Sequence, residues 1–183
     1  MHDADDNDLI SRFKNGDDSA FGEIVLRHQD RIYNLCRHML GNPQDAEDAA
    51  QDVFLKAFQA LPKFQPHAAL STWLYRIAAN TCIDRKRKPA WESLFGITAE
   101  GEDLVHDRAS DAPSPEKLYQ AREIDKALQA CLGKLSPKLR AIIVLKEVEE
   151  LSYEEIAETL EISMGTVKSR IARARKDLQK CMK

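Results

Sequence analysis

The sequence predicts an all-α protein of two small helical domains joined by a flexible linker, with a helix-turn-helix in the C-terminal domain. Apolar residues recur at spacings of three and four along most of the chain, as in amphipathic helices. Capping residues, glycines and prolines divide these stretches into helices of ordinary length. No stretch shows the apolar–polar alternation of a half-buried strand. The 183 residues are enough for two domains with modest cores.

The N-terminal domain, residues 1–89, is predicted to contain four helices. Gly16 and Gly41 are suited to end the first two, and Pro62 ends the third. Ser71 is the predicted cap of the fourth. We expect the helices to span, in chain order, residues 8–15, 17–40, 43–61 and 71–88.

Three aspartates lie on the predicted outer face of the third helix, at spacings of three and four residues: Asp45, Asp48 and Asp52. Like charges at these spacings weaken a helix slightly. Such a stripe is either a solvated face or a docking surface for a basic partner. The residues alone favour the solvated face.

The fourth helix interleaves aromatic residues with basic and amide residues. Trp73, Tyr75, Arg76 and Asn80 are followed by four cations at positions 85–88. Aromatic rings can stack on unpaired bases, asparagine can read a base edge, and cations bind the phosphate backbone. Alternatively, Trp73 belongs to the core and the cations complement the helix dipole. The residues alone support the two interpretations equally.

Residues 90–115 form the predicted linker. They are polar and acidic, with isolated apolar side chains and no periodicity. A stretch of this length without regular structure is unusual inside a compact domain, so we place a domain boundary here.

The C-terminal domain, residues 116–183, is predicted to contain two helices followed by a helix-turn-helix. Prolines at positions 115 and 137 begin the first two helices. Ser152 and Glu155 match a capping box, and Ser163 can cap the last helix. The buried stripe of that helix consists of Val167, Ile171, Ala174 and Leu178.

The opposite face of the last helix is suited to binding DNA. Its lysine and arginine side chains can donate to guanine or neutralise phosphate, and Gly165 permits close approach. The alternative is a solvated basic face near the C-terminal end of the helix. A capped short helix, a three-residue turn and a long basic helix occur together, which favours DNA binding.

Bulk composition limits the other function classes. The formal net charge is −3, so any affinity for DNA must come from segregated basic patches. No glycine-rich phosphate loop is present, and neither a cofactor nor a metal is predicted. The four cysteines are widely spaced, which predicts reduced thiols in the cytoplasm, with Cys36 and His38 packed in the core. No signal peptide or membrane-spanning run is evident.

Four stretches, GDDSAFGEIVLRH, DAEDAAQDVFLKAF, STWLYRIAANTCID and LSYEEIAETLEISMGTVKSRIARARKDL, occur in this order and cover most of both domains. Together they resemble bacterial RNA polymerase sigma factors of the extracytoplasmic-function group, the small two-domain branch of the sigma-70 family. One stretch would be a moderate signal, whereas four in register are highly specific.

The resemblance implies two partners for the N-terminal domain. In the family, the helix matching residues 45–58 docks on the clamp helices of the largest subunit of core RNA polymerase, which would place Asp45, Asp48 and Asp52 in an interface. The segment matching residues 64–80 opens the −10 promoter element and captures a flipped base. By this resemblance, the −10 pocket and the adjoining DNA path involve His67, Ala68, Ala69, Leu70, Trp73, Arg76 and Asn80.

For the C-terminal domain, the resemblance implies that the last helix reads the −35 element in the major groove. The side chains implied are Thr166, Lys168, Ser169, Arg170 and Arg173. The linker would pass toward the active-site cleft and the RNA exit channel of the polymerase. An anti-sigma factor, often membrane-anchored in this group, is implied as an inhibitory partner.

Two other functions are compatible with parts of the sequence. A dimeric helix-turn-helix regulator would bind operator DNA without polymerase, but it needs neither the acidic stripe nor the aromatic–basic helix. An enzyme with an appended helix-turn-helix is disfavoured because His28, His38, His67 and His106 form no acid–base or metal grouping. We therefore predict a non-catalytic sigma factor.

Overall fold

The structure is a computed structural model that describes residues 3–65, 68–87 and 115–182. These residues form eight α-helices and one 3₁₀ turn, Leu61–Lys63, which confirms the predicted all-α fold. Within the described residues, no helix is long and apolar enough to cross a membrane. The helices are α1 Asp3–Lys14, α2 Ser19–Leu40, α3 Pro43–Ala60, α4 Leu70–Arg87, α5 Pro115–Gly133, α6 Pro137–Glu147, α7 Tyr153–Leu160 and α8 Met164–Cys181.

Most predicted helix ends are found where the capping residues placed them. Gly16 and Gly41 have φ values of 95° and 85°, a left-handed conformation that glycine adopts without strain. The predicted cap at Ser71 is wrong, because α4 already begins at Leu70 and Trp73 N donates to Ala69 O. Leu70 is buried, so core packing draws its turn into the helix.

Helix α1 begins at Asp3, five positions before the predicted start at Asp8, because a buried carboxylate fastens its first turns to α2. Asp6 is 2% exposed; its Oδ1 accepts from Arg27 Nη1, and its Oδ2 lies 3.1 Å from His28 Nε2. Burial lowers the pKa of His28 and outweighs the raising effect of Asp6, which favours a neutral imidazole. At this position the sequence shows only a cluster of acidic residues and does not indicate which of them is buried.

The N-terminal helices α1 to α4 pack around a core to which α3 contributes mainly alanines. Ala46, Ala49, Val53 and Ala57 are buried, and such small side chains allow helices to approach closely. Phe58 is 41% exposed and lies at the edge of the core. Its ring contacts those of Phe13 and Phe21 at centroid distances of 5.2 and 5.1 Å.

The C-terminal core is formed by α6, α7 and α8, and its predicted caps are confirmed. Ser152 Oγ accepts from Glu155 N at 3.1 Å, and Ser152 N donates to Glu155 Oε2 at 2.7 Å, which completes a capping box. Ser163 Oγ accepts from Thr166 N at 3.3 Å and caps α8. The buried stripe of α8 contains Val167, Ile171 and Ala174. These contacts fix which face of α8 points outward.

The two halves of the chain pack against each other around one continuous core. Arg140 of α6 is 3% exposed and donates from Nε to His38 O in α2 and from Nη2 to Gln129 Oε1 in α5. Burial and, to a smaller extent, the charge of Arg37 together lower the pKa of this guanidinium to about 10. The proposed domain boundaries stay a prediction, because residues 88–114 lie outside the described residues.

One disulfide corrects the prediction of four reduced thiols. Cys131 at the end of α5 and Cys181 at the end of α8 are bonded, 50 residues apart in the sequence. The spacing of these two cysteines in the sequence does not predict the bond, because only the packing of α5 against α8 brings them together. Cys36 and Cys82 are buried free thiols; the hydrogen bond between them and burial raise the pKa of Cys36. Cys36 is packed in the core as predicted, whereas His38 is only half-buried.

Reduction of this disulfide is expected to destabilise the fold. A cross-link that closes a loop of this length contributes about 2–4 kcal/mol, mainly by restricting the unfolded chain. Denaturant unfolding with and without dithiothreitol measures the difference, and the variant Cys131→Ser/Cys181→Ser should behave like the reduced wild type. A variant as stable as the oxidised protein would contradict this expectation.

His28 is expected to make the fold sensitive to mild acid. Its pKa is lower in the folded chain than the usual value of about 6.5, so the unfolded chain binds more protons below that pH and stability falls there. We expect the free energy of unfolding to drop between about pH 7.5 and 5.5. The drop should be smaller in His28→Gln, and an equal drop in both proteins would exclude His28 as its source.

Candidate nucleic-acid interface

The outward face of α8 presents the cationic side chains that the sequence singled out. Lys168 and Arg173 are exposed and Arg170 is half-buried at the rim, while Val167 and Ile171 face the core. These cations can reach a neighbouring phosphate or a guanine edge while the buried stripe holds the helix in place. The predicted orientation of α8 is therefore confirmed.

Two of the predicted −35 residues are hydroxyl side chains already engaged at the start of α8. Thr166 Oγ1 lies 2.9 Å from Ser163 Oγ, and Ser169 Oγ donates to Thr166 O at 3.1 Å. Ser169 keeps free lone pairs for a donor, since its proton is used within the helix. The cations of α8 are therefore the freer groups for contacting DNA.

Arg175, on a different face of α8, has a structural partner. Its Nε and Nη2 both donate to Glu147 Oε1 of α6, at 3.0 and 2.7 Å. The hydrogen bonds and the charge of Glu147 raise the pKa of this guanidinium. Arg175 therefore links α8 to α6. The interpretation of this end of α8 as a solvated basic face did not include this role.

On α4, the structure separates the aromatic residues from the polar ones. Trp73 and Leu70 are buried, and the Trp73 ring packs on Phe64 with centroids 4.8 Å apart. Asn80 is exposed, so its amide is free to meet a base edge. In this arrangement the indole of Trp73 belongs to the core, which is one of the two interpretations that the sequence left open. A contact between Trp73 and DNA stays a prediction.

The start of the predicted −10 pocket is only partly described. Ala68 and Ala69 are half-buried just before α4, whereas His67 lies outside the described residues. The structure therefore places the alanines beside the first turn of α4 and leaves the role of His67 as a prediction.

Tyr75 and Arg76 of α4 contact acidic residues of the C-terminal half. Tyr75 Oη donates to Glu149 Oε2 at 2.7 Å, and Arg76 Nη1 donates to Glu161 Oε1 at 2.8 Å. Burial raises the pKa of Tyr75, and burial also raises that of Glu149 despite the hydrogen bond from Tyr75. Sequence reasoning missed both glutamates, since nothing in the acidic turns around α7 indicates which carboxylates face α4.

The acidic stripe on α3 is only partly available to a partner. Asp52 accepts from Arg85 Nη2 of α4, whereas Asp45 and Asp48 are exposed. Burial lowers the pKa of Arg85, but the hydrogen bond that Arg85 donates to Asp52 and the charges of Asp52, Asp48 and Asp45 outweigh it, and the net shift is upward. The stripe therefore joins α3 to α4 at one end and has two exposed carboxylates at the other.

Within the described residues, no group of three or more His, Cys, Asp or Glu side chains is placed to hold a metal ion. The predicted −35 residues lie together on α8, the −10 residues lie on α4 and just before it, and the acidic stripe lies on α3. The three predicted surfaces are thus carried by three different helices.

The chain matches two family models: Sigma-70 region 2 over residues 24–92 and Sigma-70 region 4 over residues 125–178. It is 42% identical to the ECF RNA polymerase sigma factor SigW of Bacillus subtilis, over 93% of each chain. It is 38% identical to the RNA polymerase sigma-H factor of Pseudomonas aeruginosa, over 97% of this chain and 93% of the relative. With the ECF RNA polymerase sigma-E factor of Escherichia coli it shares 35% identity, over 93% and 90%.

Solved structures show the same fold. CnrH, determined in complex with the cytosolic domain of CnrY, superposes with a TM-score of 0.71 at 28% identity, covering 97% of this chain and 96% of that one. The sigma factor RpoE of Bartonella quintana, determined with the anti-sigma factor NepR, superposes with a TM-score of 0.65 at 24% identity, covering 88% and 96%. With an exposed basic α8, two matched sigma-70 regions and relatives similar along nearly their whole length, the chain belongs to the ECF group of sigma-70 family RNA polymerase sigma factors.

Proposed function

We propose that this sigma factor binds core RNA polymerase and directs it to promoters by reading −35 duplex with α8 and −10 single-stranded DNA with α4 and the preceding loop. The observation that carries the proposal is the orientation of α8, whose cations face outward while its apolar stripe is buried. The protein acts in the cytoplasm and contributes binding rather than catalysis. It requires no cofactor.

The proposed −35 contact follows from the geometry of α8. A major groove about 12 Å wide admits a helix, and arginine pairs with guanine O6 and N7. Arg170 and Arg173 are three residues apart, so they lie on the same face of the helix. We assign base or phosphate contacts to these residues and to Lys168, with Thr166 and Ser169 at the start of the helix.

The proposed −10 contact uses the polar residues of α4. Asn80 is suited to a base edge and Arg76 to a phosphate, while Leu70 and Trp73 support the start of the helix from the core. The resemblance adds His67, Ala68 and Ala69 as the pocket. Unstacking DNA costs a few kcal/mol per step, and binding of the displaced strand offsets this cost.

For polymerase binding, we propose that Asp45 and Asp48 meet basic residues on the clamp helices of the largest subunit. Both carboxylates are exposed, and Asp48 has no hydrogen bond to Arg85, unlike Asp52. Complementary charge at such an interface increases the association rate and the specificity.

We also propose an anti-sigma factor as an inhibitory partner. CnrH, which covers nearly the whole of this chain at 28% identity, was determined in complex with the cytosolic domain of CnrY. By the family resemblance, the inhibitor of this chain covers the polymerase-binding surfaces and is anchored in a membrane. Mixing the full chain with core polymerase in the presence of a candidate inhibitor domain would show loss of the sigma–polymerase complex.

The overall proposal is tested by transcription in vitro with core polymerase, with and without this protein, on a pool of genomic fragments. Sequencing the RNA 5′ ends should reveal new start sites that share two spaced upstream elements. If core polymerase stays silent while the protein alone shifts duplex DNA tightly, the proposal is wrong and an autonomous regulator takes its place.

Arg173→Ala is expected to weaken −35-dependent initiation by about 1–3 kcal/mol while polymerase binding is retained, because only a DNA contact is removed. Competition between promoters with intact and altered −35 elements measures the loss. Lys180→Ala, which removes an exposed cation from the last turn of α8, is the matched control. Equal losses in the two variants would indicate a general charge effect instead.

Asp48→Arg is expected to reduce the affinity for core polymerase by at least about tenfold, since like charges at an interface cost several kcal/mol. Glu47→Arg changes the same charge at the neighbouring exposed position of α3 and should have a smaller effect. Affinity is measured by titrating labelled protein with core polymerase. Unchanged affinity in Asp48→Arg would indicate that the acidic stripe is a solvated face and not a docking surface.

A further inference from the structure

The segment that leads into α4 begins at Phe64, where the chain leaves the 3₁₀ turn Leu61–Lys63. Phe64 has φ and ψ values of −62° and 130°, so its backbone is extended rather than helical. Phe64 N still donates to Leu61 O, but a carbonyl at the end of a helical turn lacks a partner within that turn. The group that binds the carbonyl of Phe64 therefore helps to fix the start of this segment.

Lys14 at the end of α1 supplies that group. Its Nζ donates to Phe64 O at 2.5 Å, although the two residues are 50 positions apart in the chain. An ammonium donor makes such a bond stronger than one between neutral groups. The side chain of Phe64 is 7% exposed, and its ring packs on that of Trp73 in α4. Phe64 is thus held from two directions, by its carbonyl and by its ring.

The backbone that carries Lys14 is itself well fixed. Phe13 is 8% exposed, and its ring contacts those of Phe21 and Phe58 at centroid distances of 5.6 and 5.2 Å. Gly16 N donates to Phe13 O at 3.0 Å and closes the end of the helix. Helix α1 also packs against the 3₁₀ turn. The ammonium of Lys14 therefore extends from a defined point toward Phe64.

We propose that Lys14 is a positioning residue for −10 recognition: by holding the carbonyl of Phe64, it fixes the start of the segment that leads to Ala68 and Ala69. The inference rests on the proposed function, which assigns these alanines to the −10 pocket. A recognition site needs its contacts held to within about 0.5 Å. A pocket that is held less firmly captures the flipped base more slowly and discriminates less between bases. Reading of the −35 element and binding of polymerase use other surfaces and do not depend on Lys14.

Three variants separate this role from a general effect of charge. Lys14→Met removes the ammonium and keeps an unbranched apolar side chain, whereas Lys14→Arg keeps a cationic donor of similar reach. Lys63→Met is the matched control, because it removes the same charge from an exposed position in the neighbouring 3₁₀ turn. Circular dichroism verifies that each full-length protein is folded.

Hydrogen–deuterium exchange of the free protein measures how firmly the segment is held. We expect the amide of Phe64 to exchange at least about fivefold faster in Lys14→Met than in the wild type, because local opening becomes easier. Lys14→Arg and Lys63→Met should exchange at nearly the wild-type rate. An unchanged rate in Lys14→Met would overturn the inference.

The functional test uses core polymerase with each full-length protein, on promoters found by the start-site experiment and randomised at the −10 or the −35 element. We expect Lys14→Met to open promoters at least about fivefold more slowly and to accept a wider set of −10 bases, while its −35 preference and polymerase affinity stay unchanged. Lys14→Arg should restore both properties.

Faster exchange without a change in −10 preference, or an equal change in Lys63→Met, would overturn the positioning role. A wild type that directs no transcription would instead refute the proposed function. The two failures are distinguishable, because the exchange experiment involves neither polymerase nor promoter and reports only whether Lys14 holds Phe64.

Discussion

Helix α4 is packed on two sides, and the rest of the structure depends on that packing. Leu74 and Ala78 are fully buried in the N-terminal core, while Tyr75 turns toward the C-terminal half and bonds to Glu149. A helix buried in both directions orders α2 and α3 around it and also positions α6 and α7. Its few exposed groups, such as Asn80, are therefore held in a defined direction.

The distribution of charge explains how a protein with a net charge of −3 can bind DNA. Cations gather on the outer face of α8 and at the end of α4, and nearby carboxylates neutralise only some of them. Asp52 and Glu147 are paired with Arg85 and Arg175, which leaves other cations of α8 free. Ion pairs of this exposed kind contribute little to stability, so their effect is to decide which charges remain available.

The two halves of the chain are joined by apolar as well as polar side chains. Buried apolar residues of both halves belong to one continuous core. Polar contacts add to it, among them the bonds from Tyr75 to Glu149 and from Arg140 to the carbonyl oxygen of His38. The bonded cysteines at the ends of α5 and α8 reinforce the C-terminal half by itself, because both belong to it.

The sequence by itself determined the helices, most of their ends and the outward face of α8. Periodicity and capping are local, and a motif such as Ser152 with Glu155 specifies its own hydrogen bonds. Four motifs in register also identified the family, which the relatives confirm.

Contacts between residues distant in the chain were decided only by the tertiary structure. The bond between Cys131 and Cys181, the burial of Asp6 against α2 and the pairing of Arg76 with Glu161 each join residues that no local pattern connects. The same holds for the burial of Trp73, where an aromatic ring at helical spacing suits either a core or a base. In the structure the Trp73 ring lies in the core, because neighbours in space rather than in sequence determine what a side chain contacts.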